Sequence, residues 1–95
     1  MTLCMVLHEL PEGGAEALEA AVWELSESHM VLGSGMLVDT SISAAYLLSH
    51  LRRTLRRAEL EGPLLVSEVQ DTLHMVGLDP AAEDWVREAL EQARG

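Results

Sequence analysis

Two polar residues, His8 and Glu9, close an unbroken apolar run, Leu3-Cys4-Met5-Val6-Leu7. An imidazole and a carboxylate are groups of acid–base and metal chemistry, and a strand end is where sheet folds usually place such groups. Both are candidate catalytic residues. Adjacent residues of a strand point to opposite faces, so the two do not converge within one chain. The plainer reading of Glu9 is a solvated acid at a strand end. The second constellation is Arg52, Arg53, Arg56 and Arg57. Their spacing at i, i+1, i+4 and i+5 forms a compact cationic strip on a helix, and guanidinium forks match phosphate or carboxylate oxygens. The strip is a candidate partner-binding surface. The alternative is internal or dimer-interface pairing, with an acid-rich neighbouring helix as its counterpart.

The spacing of the histidines, the cysteine and the Gly-Ser-Gly turn matches no zinc, nucleophile-elbow or phosphate-loop pattern. His8, His29, His50 and His74 form no H-x-H or H-x-x-x-H pair, and Cys4 is the only cysteine, so no zinc-ligand pattern exists. Ser34 lies in Gly-Ser-Gly rather than in G-x-S-x-G. The same Gly33-Ser34-Gly35 joins two strands and lacks the lysine of a phosphate loop.

These residues need a scaffold, and residues 28–40 organise it. Two apolar runs flank Gly33-Ser34-Gly35, which predicts a β-hairpin with a three-residue turn. Before it, residues 3–7 form a strand apolar on both faces, hence central in a sheet. Residues 15–28 read as a helix with a stripe of Ala15, Leu18, Val22 and Leu25, and with Trp23 at the core edge. After it, Ser43 or Ser41 caps a helix over residues 44–59. Its expected stripe is Ala44, Leu48, Leu51, Leu55 and Ala58, with Leu47 at the margin. Gly62-Pro63 ends that helix, and residues 64–69 form a half-exposed or edge strand. Gln70-Asp71 turns into a short fifth strand over residues 72–76. Asp79 and Pro80 start a last helix, with Ala82, Trp85, Ala89 and Ala93 as its stripe.

The order βα–ββ–αβ predicts an α+β, ferredoxin-like βαββαβ sandwich with an additional C-terminal helix. One domain spans residues 1–95, with residues 70–95 as a C-terminal extension. In a plain split βαβ both crossover helices cover one face of the sheet. The first strand is apolar on both faces, so the second face needs a cover. The expectation is a homodimer, with the C-terminal segment contributing.

Composition narrows the partners. Sixteen acids stand against six bases, all arginine, for a net charge of −10. A field of that sign repels nucleic acid and anionic membrane; it favours solubility, basic partners, a protein among them, or divalent cations. A single cysteine fits a reducing compartment, and no stretch reaches the roughly 20 apolar residues of a membrane span. With no signal-peptide pattern, the expected location is cytoplasmic.

Several segments together resemble a family. They are the strand ending in two polar residues, the Met-Leu-Val-Asp-Thr strand and the helix entry Ser-Ile-Ser-Ala-Ala. The Leu-Arg-Arg-Thr-Leu helix and the strand Leu-Leu-Val-Ser-Glu-Val complete the pattern. It is similar to the small SinR-like proteins, relatives in fold of the second CRISPR-associated core protein and of VapD-type toxin ribonucleases. The likeness covers residues 3–69 and, more weakly, 77–85. It implies a ferredoxin-like dimer in a prokaryotic defence or toxin–antitoxin-like setting. In nuclease members an Asp at the end of the first strand of each subunit holds a divalent metal at the dimer interface. Glu9 occupies that position here and is one methylene longer, so the resemblance makes Glu9 a candidate ligand for Mg²⁺ or Mn²⁺. Three functions follow as expectations. The first is a non-enzymatic, dimeric interaction or regulatory module needing no cofactor. The second is a metal-dependent nuclease with Glu9 paired across a dimer. The third is a small-ligand-sensing regulatory domain.

Overall fold

A computed structural model describes residues 1–70 and 72–94 of the chain. Its elements are β1 (Thr2–His8), α1 (Gly14–Leu25), β2 (Ser26–Leu32), β3 (Gly35–Thr40), α2 (Ala44–Arg57), β4 (Leu64–Glu68) and α3 (Pro80–Arg94). This is an α+β arrangement in the element order that the sequence predicts. The strands form one antiparallel sheet in the order β2-β3-β1-β4. β1 is flanked on both sides, which explains its unbroken apolar run: Cys4 and Val6 are buried on one face, and Leu3 on the other.

The hairpin turn is one residue tighter than expected. Leu32 pairs with Gly35, so the turn is Gly33-Ser34, and Gly33 takes the positive φ of 59° that the first position of such a turn requires. Gly35 belongs to β3, where it lets Leu7 lie close. A Cβ there would stand 2.9 Å from Leu7 Cδ2 and 3.1 Å from the Val6 carbonyl oxygen.

α1 stops at Leu25, earlier than its pattern predicts, because Thr40 intercepts it. The Thr40 hydroxyl donates to the Leu25 carbonyl at 2.6 Å and accepts from the Ile42 amide at 3.3 Å. β2 therefore begins at Ser26, and a bulge between Ser26 and Ser28 absorbs Glu27.

α1 and α2 cover one face of the sheet. Leu18, Ala21 and Val22 of α1 and Leu47, Leu51 and Leu55 of α2 are buried with Cys4, Val6, Met36 and Val38. The stripe of α2 is rotated from expectation. Leu47 is fully buried, Leu48 is half-buried, and Ala58 lies beyond the helix end and is exposed. Ser43 caps α2, accepting from the Tyr46 amide at 3.1 Å.

α3 lies on the opposite face. Its Asp79 cap accepts from the Ala82 amide at 2.8 Å, as the Asp-Pro pair predicts. Ala89 packs against Leu3 and Val69, with Trp85 and Leu90 at the margin. Residues 72–76 are irregular, so the expected fifth strand does not form. Leu73 and Met75 are half-buried, but the segment lies over the sheet face, lining a cavity with Met5, Met30 and Leu37, rather than along a strand edge where a ladder could extend; Val76 is 97% exposed. Asp71, half of the turn expected before it, lies outside the described residues. Trp23 is 67% exposed rather than at the core edge, its edge against the His29 ring at 4.9 Å. Among the described residues no helix is long and apolar enough to cross a membrane.

Candidate functional site

The end of β1 is clamped from both sides. The His8 amide donates to the Ser34 carbonyl at 3.1 Å, and the Glu9 amide to the Pro63 carbonyl at 3.0 Å. Gly62 makes the second clamp feasible, since a Cβ there would stand 2.7 Å from the Glu9 carbonyl oxygen. His8 is half-buried with Nδ1 unpartnered, while Glu9 is exposed. Among the described residues no three His, Cys, Asp or Glu side chains are grouped to hold a cation. A metal at Glu9 would therefore need donors from a second copy.

The arginine strip faces solvent: Arg52, Arg53, Arg56 and Arg57 are all exposed. Arg56 pairs with Glu61 at 3.0 Å, just beyond its own helix. Among the described residues the other three form no ion pair, and α1 does not neutralise the strip. The carboxylates of α1 meet histidines instead. Glu19 Oε2 lies 2.9 Å from His29 Nε2, and Glu24 Oε2 lies 3.9 Å from His50 Nε2. Cys4 is buried, and burial together with the nearby Glu68 carboxylate raises its pKa, so the thiol stays protonated and unreactive.

Sequence reasoning missed what lies on the α3 face. Its residues fall in rows across the strands. The outermost row is Leu32, Gly35, Leu7 and Leu65, and the next is Met30, Leu37, Met5 and Ser67. α3 covers the inner end of this face and leaves the outer row open. Leu32, Leu7 and Leu65 are 60%, 45% and 68% exposed. Between these rows and residues 73–78 lies an apolar cavity of about 370 Å³, whose lining includes Met5, Met30, Met75 and Val86. His74 is the only titratable residue among the lining side chains. The alternation of each strand marked these residues as one face, but their alignment into a row depends on register.

The second missed residue is Asp39, in the row beneath α3. It is only 5% exposed, and no donor among the described residues meets its Oδ1. Burial and then the Glu27 carboxylate push its pKa above 3.8, opposed by the α-amino group of Met1. The signal was present in the sequence: one acid in the apolar run Met36-Leu37-Val38-Asp39 of a strand whose other residues read as core.

The raised value fixes a sign. Folding binds the Asp39 proton more tightly, so the ionised group destabilises the fold at pH values above its folded pKa. That penalty fades as pH falls through the folded pKa toward 3.8. Asp39→Asn is therefore expected to stabilise the protein at neutral pH by about 1–3 kcal/mol, the usual penalty of an unsatisfied buried group. The advantage should shrink on acidification. Urea unfolding of both proteins across that range measures it, and equal stability at neutral pH would count against the assignment.

No family model, no curated protein and no solved structure matches this chain, so its function is read from its own geometry.

Proposed function

We propose that this chain is a non-enzymatic, ferredoxin-like interaction module that works as a homodimer, closing on a second copy through the open outer row of the α3 face. The strand order β2-β3-β1-β4 with two helices on one face supports the fold assignment. The observation that carries the dimer is the aligned exposed row Leu32, Leu7 and Leu65 beside Val76. Contiguous exposed apolar surface of this kind marks an interaction site. The choice of a second copy rests on charge. Two chains of net charge −10 repel over most of their surfaces, whereas among the described residues the cavity lining behind this row contains no Asp, Glu or Arg. A basic partner would instead be drawn to the acids elsewhere. The defence or toxin–antitoxin-like setting, and membership of the SinR-like group, rest on the sequence resemblance.

Leu7→Lys with Leu65→Lys is expected to convert a dimer to a monomer while leaving far-ultraviolet circular dichroism unchanged, since both side chains sit in the exposed outer row and neither belongs to a buried cluster. Size-exclusion chromatography with light scattering reads the mass. A wild-type monomer at concentrations of about 100 µM, where even weak homodimers populate, would defeat the proposal.

One observation favours the nuclease reading. Glu9 stands two residues beyond Leu7 in the chain and just past the end of β1, so a dimer closing on Leu7 would bring two Glu9 carboxylates to the same margin. Cleavage of RNA or DNA with Mg²⁺ or Mn²⁺ that disappears in Glu9→Ala would select it.

A further inference from the structure

Beneath α3, on the inner end of the same sheet face, lies a second cleft with the opposite chemistry. Its volume is about 310 Å³, and Ser28, Asp39, Trp85, Glu88, Ala89 and Gln92 line it. We propose that this cleft is a binding site for an organic cation, a guanidinium or a primary ammonium group.

Asp39 makes the cleft a site. A carboxylate 95% buried, with an oxygen that no donor among the described residues reaches, is an acceptor held ready for a partner that those residues do not supply. The α-amino group of Met1 acts on Asp39 at longer range and forms no ion pair with it among the described residues. The remaining lining suits a cation. Glu88 and Gln92, one turn apart on α3, add acceptor oxygens, and Glu27 in the bulge adds a further negative charge nearby. Among the described residues no basic side chain lines the cleft. Trp85 provides an aromatic wall, and its indole is fixed because Nε1 donates to Ser28 Oγ at 3.0 Å. Aromatic faces attract ammonium and guanidinium groups.

The same lining argues against a metal ion. A divalent cation needs several oxygen or nitrogen ligands at short range, and no such group of three acids, histidines or cysteines exists among the described residues. A guanidinium meets one carboxylate with two parallel hydrogen bonds, and the aromatic wall accommodates its apolar stem. The chemistry has two sources, a free small amine or the arginine side chain of a peptide.

The chain has two tryptophans, so Trp23→Phe leaves Trp85 as the sole tryptophan, read apart from Tyr46 by excitation at the red edge, and Trp23 itself is exposed on α1. In that background the protein is titrated with agmatine and, separately, with an end-capped Gly-Arg-Gly peptide. Saturable change in Trp85 emission is expected with at least one. Response to agmatine identifies a free cation as sufficient, and response to the peptide alone assigns the source to an arginine side chain. Asp39→Asn should weaken binding by about tenfold or more, equivalent to about 1.4 kcal/mol. Glu88→Gln should weaken it by a smaller factor and gives a second, independent reading. Exposed Glu61, in the loop after α2, is the control, and Glu61→Gln should leave the titration unchanged. Affinity should fall on acidification as Asp39 takes up its proton, with Glu27, Glu88 and the Met1 α-amino group as the other titrating neighbours. Absence of saturable binding by both probes overturns the proposal. So does binding that Asp39→Asn and Glu88→Gln leave intact.

Discussion

Leu51→Ala is expected to cost about 2–5 kcal/mol of folding stability, the range for emptying a buried leucine site. Leu51 is fully buried at the middle of α2, with buried Leu47 and Leu55 one turn away on either side. Opposite them stand Cys4, Val6, Met36 and Val38 from the two central strands, and Leu18 and Val22 from α1. Collapse into the vacancy is restricted because all three elements are fixed by their neighbours. A small domain holds about 5–15 kcal/mol in total, so this one change removes a large fraction of the margin. Leu48→Ala should cost clearly less, because Leu48 is only half-buried at the rim of the helix layer. Urea unfolding of the two variants gives the comparison, with an unchanged m-value showing that the same unit unfolds. Equal losses at 48 and 51 would mean that α2 sits in the orientation expected from the sequence stripe rather than the one found.

That comparison shows where sequence reasoning reached its limit. The spacing of apolar residues identified α2 and two of its three buried leucines, because 51 and 55 belong to either stripe. It placed Leu48 in the stripe and Leu47 at its margin, the reverse of what is found, because the two lie about 100° apart and the choice depends on how the helix seats against α1 and the sheet. The hairpin was legible from its glycines, but not its register, and register decides that Leu32, Leu7 and Leu65 align into one row. The end of α1 was unreadable because Thr40, fifteen residues on, takes the Leu25 carbonyl. Trp23 illustrates a further limit. Its type favours burial, yet its face of α1 points toward His29 on the edge strand rather than into the core. Of the candidate sites, Glu9 and the arginine strip were visible as residue types. The Asp39 cleft was not, because it exists only once α3 is laid across β2 and β3.

Val86→Asp is expected to undock α3 while the rest of the fold persists. Val86 is fully buried and contributes to the wall of the apolar cavity, where among the described residues no Lys or Arg is available to a carboxylate and His74 is exposed. Breaking a site by burying an unpaired charge costs about 3–5 kcal/mol, or forces the carboxyl to protonate. The α3 layer has little to set against this. Its buried cluster contains Leu3, Val69 and Ala89, whereas ten buried residues hold α1 and α2 to the other face. The loss should therefore be local. Hydrogen exchange would show protection lost across α3 and retained in α2, and Trp85 emission in the Trp23→Phe background would shift to the red. Val86→Thr, similar in shape and uncharged, should leave α3 docked. Loss of protection in α2 as well would make the chain a single cooperative unit. Undocking also separates the two functional proposals. It removes the wall of the cation cleft, so agmatine binding should vanish. It also uncovers Leu3, Met5 and Leu37 beside the open row, so self-association should strengthen.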